Sequence, residues 1–269
     1  MSRMKDNDEF GNRMKTYEAV ETSRRLDVRL PICARIDGRA FSRFTRGMQR
    51  PYDHAMSTAM VETTKHLVEQ THARLGYTQS DEISLVWLAE GESADILFSG
   101  KVQKMVSVLA SMAAAKFARV CPAGYESRLP HFDCRVFQLP DRTEAANAFL
   151  WRAMDARKNA ISMTAQARFS AKQLHGKRQK DMLAMLAEVG IDFDALPGFF
   201  KDGTFARRKT VERVLTPKEL AIIPEKHRPV GPILRTEIET FAGLRFRDVG
   251  NRVEFVFDGA DPAEREGAR

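Results

Sequence analysis

Apolar and polar residues alternate at Leu30, Ile32, Ala34 and Ile36, just around Pro31, and this period of two predicts a strand. It stops at Asp37, and Gly38 behind it suits a tight turn or a close approach to a ligand. Met56, Met60, Thr64, Leu67, Val68 and Thr71 follow a helical period, which predicts a helix of about six turns over residues 54–75. Leu75 on one side and Ile83, Leu85, Val86 and Trp87 on the other flank the acidic turn Ser80-Asp81-Glu82, the pattern of a hairpin. Val102, Met105, Val106, Leu109, Met112 and Ala113 fall on one face of a second helix over 101–119. Phe132, Cys134 and Val136 alternate through a third strand over 131–139. Strand, helix, hairpin, helix, strand is the βαββαβ plan, an α/β (α+β) fold with helices packed on a mixed, antiparallel sheet.

Outside this unit the pattern is weaker. Residues 1–11 are polar and expected to fray, and Met14, Tyr17 and Val20 predict a helix over 12–25. Pro140-Asp141 opens a helical stretch over 141–190, broken near 169–170 and 175–176. Residues 198–209 read as a loop, 244–246 and 253–257 as a hairpin, and the tail from 259 as disordered. A boundary near 140 divides a core over 1–140 from a helical and C-terminal region over 141–269.

The chain has 269 residues, 43% hydrophobic and 29% charged, which is the make-up of a globular protein with a sizeable core. Its net charge of +7 favours an anionic partner, nucleic acid or nucleotide. Three cysteines without a CxxC pair and six scattered histidines suggest neither a disulfide framework nor a zinc site, and point to reduced thiols in the cytoplasm. There is no signal-peptide core, and the apolar-leaning run over 105–115 is far short of the ~20 residues that span a bilayer, so no membrane association is expected.

Within that frame two acids stand out. Asp37 and Asp81 each close a strand, and if the two turns lie side by side they offer hard oxygen ligands, with the Gly38 carbonyl, to two divalent cations. Such a centre suits in-line attack on phosphorus. The connection from Arg39 to Asp53 carries Arg39, Arg43, Arg46 and Arg50, a cationic loop fit for a triphosphate, with Phe41 and Phe44 as anchors. Lys101 and Lys104 oppose the dipole of the helix they begin, a conflict that a bound anion would remove. No P-loop or Rossmann glycine pattern is present.

The segments Arg35-Ile36-Asp37-Gly38-Arg39-Ala40-Phe41, Gly76-Tyr77-Thr78-Gln79-Ser80-Asp81-Glu82 and Trp151-Arg152 with Asp155 resemble the tRNA-His guanylyltransferase family, and most closely its bacterial and archaeal branch of 3′-to-5′ polymerases. The resemblance runs over roughly residues 7–215. It implies a palm-like, polymerase- or cyclase-like catalytic core that extends RNA at its 5′ end, after ATP adenylylates a 5′-monophosphate and the 3′-hydroxyl of an incoming nucleotide, usually GTP, attacks it. It further implies that Asp37, Gly38 and Asp81 hold two magnesium ions (Mg2+), flanked by Ser80 and Glu82. Arg39, Arg50, Asp53, Lys101, Lys104 and Asn159 would contact nucleotide, and Arg157, Lys158, Lys177, Arg207 and Arg208 would contact tRNA. Members of the family form homotetramers. One departure stands out: where eukaryotic members carry His-Ile-Asn-Asn, this chain has Arg157-Lys158-Asn159-Ala160. Repair of truncated tRNA 5′ ends is thereby favoured over addition of G−1 to tRNA-His. A catalytically idle RNA-binding protein and a nucleotide cyclase are the further alternatives.

Overall fold

Strand β1 (Ile32–Gly38) is an inner strand of the sheet, buried from Ile32 to Ala34 and at Ile36. It pairs antiparallel with β3 (Glu82–Trp87) on one side and β4 (Phe132–Gln138) on the other. β2 (Leu75–Gln79) turns back on β3 through the two-residue turn Ser80-Asp81. Two further strands, β5 (Thr204–Arg213) and β6 (Ile233–Ala242), extend the sheet beyond β2, giving the antiparallel order β4-β1-β3-β2-β5-β6. The computed structural model describes residues 2–91, 94–265 and 267, with side chains described from Glu9 onward.

Period-two alternation sorts the side chains into two layers. Ile32, Ala34, Ile36, Ile83, Leu85 and Trp87 face α3 (His54–Thr71) and α4 (Val102–Val120), which supply Met60, Leu67, Met105, Leu109 and Phe117. Cys33, Leu75, Tyr77, Val86 and Phe205 face the other way, onto α5 (Arg142–Gln166) and α10 (Arg252–Phe257). The Asp53 carboxylate caps α3 by accepting from the Met56 N–H, and Asp141 caps α5 through the Glu144 N–H.

Several boundaries differ from the sequence expectation. Helix α3 ends at Thr71, before 75, because His72 adopts a left-handed φ of 55° and the Trp87 indole donates to the Thr71 carbonyl, satisfying a helix-end acceptor. The expected loop over 198–209 is instead the short helix α8 (Gly198–Asp202) followed by β5. Its run of basic residues hid the strand: Phe205 and Arg207 point inward, and Arg207 is only 3% exposed. No hairpin forms from 244–246 and 253–257; 252–257 is helix α10, burying Phe255, Val256 and Phe257. Over 259–265 the tail is tied down, not disordered, through Arg207 bonds to the Ala260 carbonyl and Asp261 and a bridge between Val249 and Glu264; residues 266, 268 and 269 lie outside the described residues. Nor do residues 2–11 fray, since α1 spans Ser2–Thr22; Met1 lies outside the described residues. The breaks expected in the helical stretch are present, separating α5, α6 (Ala171–Leu174) and α7 (Gln179–Glu188).

All three cysteines are free. Burial pushes the Cys33 thiol up to about 12 and, together with Asp133, does the same to Cys134; burial and Glu126 raise Cys121 as well, but it is only half-buried and so within reach of a reagent. Since the thiolate is the nucleophile, iodoacetamide at pH 8 is expected to add once to the native chain, at Cys121, and three times in denaturant. Mass spectrometry of the tryptic peptides would check this. Rapid native labelling of Cys33 would contradict the described β1 packing.

Candidate active site

The two acids that the sequence singles out are neighbours. Asp37 faces Glu82 across the β1–β3 pair, and the Gly38 N–H donates to the Asp81 carbonyl at 3.0 Å. The β2–β3 turn is held by Ser80 in a left-handed conformation (φ 50°) and by the Thr78 hydroxyl, which donates to the Glu82 carbonyl. Ser80 Oγ lies 3.0 Å from Asp81 Oδ1 and donates to it. Burial, and then the charge of Asp37, push the Asp81 carboxyl up to about 6, while the Ser80 hydrogen bond partly offsets them. Two neighbouring carboxylates at a strand end disfavour each other's charge, which a proton or a bound cation would relieve.

Among the described residues no three His, Cys, Asp or Glu side chains gather around one point. What the chain offers a metal is therefore two carboxylates and backbone carbonyls. Such a set suits a hard cation that keeps waters or takes phosphate oxygens, as magnesium does, and not zinc. Gly38 has a packing reason to be glycine: a Cβ there would lie 2.4 Å from the Phe41 ring. The left-handed residue of this turn is Ala40 (φ 57°).

Beside Asp81 opens a cavity of about 350 Å³. Arg50, Asp53, Ser80 and Asp81 line it together with Asn159, which α5 brings in from the other layer. Sequence reasoning missed its aromatic wall. Tyr52 packs on Phe200 with ring centroids 4.9 Å apart and on Phe199 at 5.6 Å. A Phe-Phe pair after Pro197-Gly198 was the available signal. Aromatic faces with polar groups at the rim can receive a base and sugar. Arg39, Arg43, Arg46 and Arg50 are exposed and enter no ion pair among the described residues. Of the four, Arg50 lines the cavity. The Asp53 carboxylate is committed to its backbone, accepting from Met56 and Gln49.

Other residues the sequence grouped with this site lie elsewhere. Lys101 and Lys104 begin α4, whose first residues bridge to Arg25 and pack near Leu26, beside the Gln138 end of β4. The acids lie at the Phe132 end, where the Arg39 backbone N–H donates to the His131 carbonyl. Seven strand residues separate the two ends, about 20 Å, so these lysines do not reach the acids. Glu82 does not flank the acids with a free carboxylate: it is buried toward α5, where Arg152 Nε and Nη2 donate to its two oxygens at 2.6 and 2.7 Å. Arg157 is bound by Asp194 and Asp202. Arg207 is buried and paired with Glu239 and Asp261. Lys158, Lys177 and Arg208 are exposed, with Arg208 donating to His72 Nδ1.

Known proteins share this fold. The family model described as Thg1, tRNAHis guanylyltransferase, matches residues 11–140. A solved bacterial tRNA(HIS) guanylyltransferase (Thg1)-like protein, in complex with ATP, is 40% identical over 74% of this chain and 88% of its own, with a TM-score of 0.70. The chain belongs to the tRNA(His) guanylyltransferase family. A bacterial Thg1-like protein solved in complex with GTP is 33% identical over 86% of this chain and 91% of its own, with a TM-score of 0.68. The tRNA(His) guanylyltransferase of Schizosaccharomyces pombe is 26% identical over 73% of this chain and 82% of its own. As a member of this family the chain is a nucleotidyltransferase of tRNA processing. Its palm-like sheet carries Asp37 and Asp81 at one end. No described helix is long and apolar enough to cross a membrane.

Proposed function

We propose that this guanylyltransferase relative is a magnesium-dependent 3′-to-5′ nucleotidyltransferase that repairs the 5′ ends of truncated tRNAs in the cytoplasm, using ATP to activate the 5′-monophosphate and GTP or another templated nucleotide to extend it. The observation that carries this is the pairing of Asp37 with Asp81 beside an aromatic-walled cavity of about 350 Å³. Asp37, Asp81 and the Gly38 carbonyl would hold two magnesium ions, which when bound supply Lewis-acid polarisation of phosphate oxygens and a more acidic attacking hydroxyl. Ser80 fixes the Asp81 carboxylate by donating to it. Arg50 and Arg39 balance charge on the triphosphate, and Tyr52, Phe199 and Phe200 exclude water from the base.

The α5 segment supports repair over marking of tRNA-His. Where eukaryotic relatives have His-Ile-Asn-Asn, Arg157 is spent on Asp194 and Asp202, and of the two residues that line the cavity, Asn159 and the buried Ala160, only Asn159 is polar. Exposed Phe10, Met14, Tyr17 and Val20 on α1 support assembly with further copies, in keeping with a tetramer. The test offers the protein a 5′-truncated tRNA and a full-length tRNA-His, each 5′-monophosphorylated, with ATP, GTP and magnesium. Templated extension of the truncated RNA is expected. Extension of tRNA-His alone would replace the repair reading with G−1 addition.

A further inference from the structure

Helix α5 covers β1, β3 and β2 but leaves the same face of the edge strand β4 open, so that Asp133, Arg135 and Phe137 are solvent-facing. At the margin of this open face stands Trp151, 55% exposed. Tryptophans are highly buried on average. The Arg152 guanidinium lies 4.6 Å from its ring centroid and that of Arg35 lies 5.4 Å away. Both arginines are themselves largely covered, Arg152 at 8% residue exposure and Arg35 at 21% of its side chain. They therefore form the floor on the protein side, and the exposed surface of the indole is turned outward.

The floor leads straight to the candidate catalytic acids. Arg35 and Asp37 are two residues apart on one strand and so share a face, about 7 Å from each other. That is the reach of a single nucleotide. Arg152 is bonded to Glu82, the residue after Asp81. Trp151, Arg35 and Arg135 are not among the residues that line the cavity of Asn159 and Tyr52, so a nucleotide there and a base on Trp151 would use different side chains.

We propose that Trp151 is a stacking platform for the terminal base at the 5′ end of the RNA acceptor, with Arg35 and Arg135 drawing in the adjoining phosphates. This rests on the reading of the site as one that joins a nucleotide to an RNA 5′ end. Aromatic faces set among arginines hold bases with little regard to sequence, which suits an enzyme that must accept whichever base a truncation leaves.

The chain has two tryptophans, and the other, Trp87, is 2% exposed. Both indoles emit, but only Trp151 is open to contact with a stacked base, so ligand-induced quenching reports on Trp151 above a constant Trp87 background. A short 5′-monophosphorylated RNA hairpin is expected to quench the emission on titration, and ATP or GTP alone is expected not to. Trp151→Ala should weaken RNA binding roughly ten-fold or more, Trp151→Phe should recover most of it, and nucleotide affinity should stay unchanged in both. An RNA whose 5′-terminal nucleotide is abasic should bind the parent and Trp151→Ala alike. Equal binding of intact RNA by parent and Trp151→Ala, or quenching by free nucleotide instead of RNA, would overturn the platform. These readouts need no turnover. If the parent extends RNA and Trp151→Ala does so with unchanged KM, the platform fails and the proposed function stands. If the parent extends no RNA but the quench and the abasic result hold, the function fails and the platform stands.

Discussion

Replacing Asp81 by alanine is expected to abolish nucleotide addition, a loss on the order of 10³-fold or more, while the chain stays folded. Lewis-acid stabilisation by a bound metal is worth several kcal/mol, and each 1.4 kcal/mol of barrier is about ten-fold in rate. The fold does not depend on this carboxylate. Its one side-chain partner is Ser80, its neighbour in the chain, whereas the bond that joins the turn to β1 runs from the Gly38 N–H to the Asp81 backbone carbonyl and survives the substitution. Burial and Asp37 both disfavour the Asp81 charge, so removing it relieves a repulsion. Thermal unfolding of Asp81→Ala is thus expected at or slightly above the parent midpoint. The assay is extension of labelled 5′-monophosphorylated tRNA with ATP, GTP and magnesium. A variant that kept magnesium-dependent addition would show that the two acids do not hold the metal.

Why this pair was legible in the sequence, and other parts of the site were not, has a physical answer. Asp37 and Asp81 each interrupt an apolar strand, and a carboxylate at such a place is visible in one dimension. Their adjacency follows from the βαββαβ plan, in which the end of the first strand meets the hairpin turn. Lys101 and Lys104 show the opposite case. That α4 begins with two lysines is plain from the chain, but which end of the sheet it begins at depends on the direction of β3, and β3 runs away from the acids. Arg207 and Arg208 differ by one position and by everything else. A strand period of two sends Arg207 inward to Glu239 and Asp261 and Arg208 outward to His72. In a run of four consecutive basic or polar positions, no apolar alternation marked the strand. The aromatic wall joins Tyr52 to Phe199 and Phe200 across nearly 150 residues of chain, and no local pattern predicts such a meeting.

Replacing Arg152 by methionine is expected to cost about 3–5 kcal/mol of stability, the penalty of stranding a buried carboxylate. Arg152 and Glu82 are 8% and 7% exposed, and their two-point contact at 2.6 and 2.7 Å ties α5 to β3. Burial pushes the Glu82 carboxyl up, and Arg152 is the main group pulling it back. Arg35, at 3.9 Å, is too far to take over. Asp155 would also lose its 3.0 Å contact, but it sits nearer to water. Lysine at position 152 should recover only part of the loss, since a point charge cannot match both carboxylate oxygens. Glu82 directly follows Asp81, so the turn should loosen as well, and nucleotide addition should fall even under conditions where Arg152→Met remains folded. The decisive measurement is the double variant Glu82→Gln with Arg152→Met. Removing the stranded charge should restore more than half of the lost stability in urea unfolding, a coupling of 2 kcal/mol or so. Additive losses in the double variant would mean that Arg152 acts through its packing against Trp151, and that Glu82 does not depend on it.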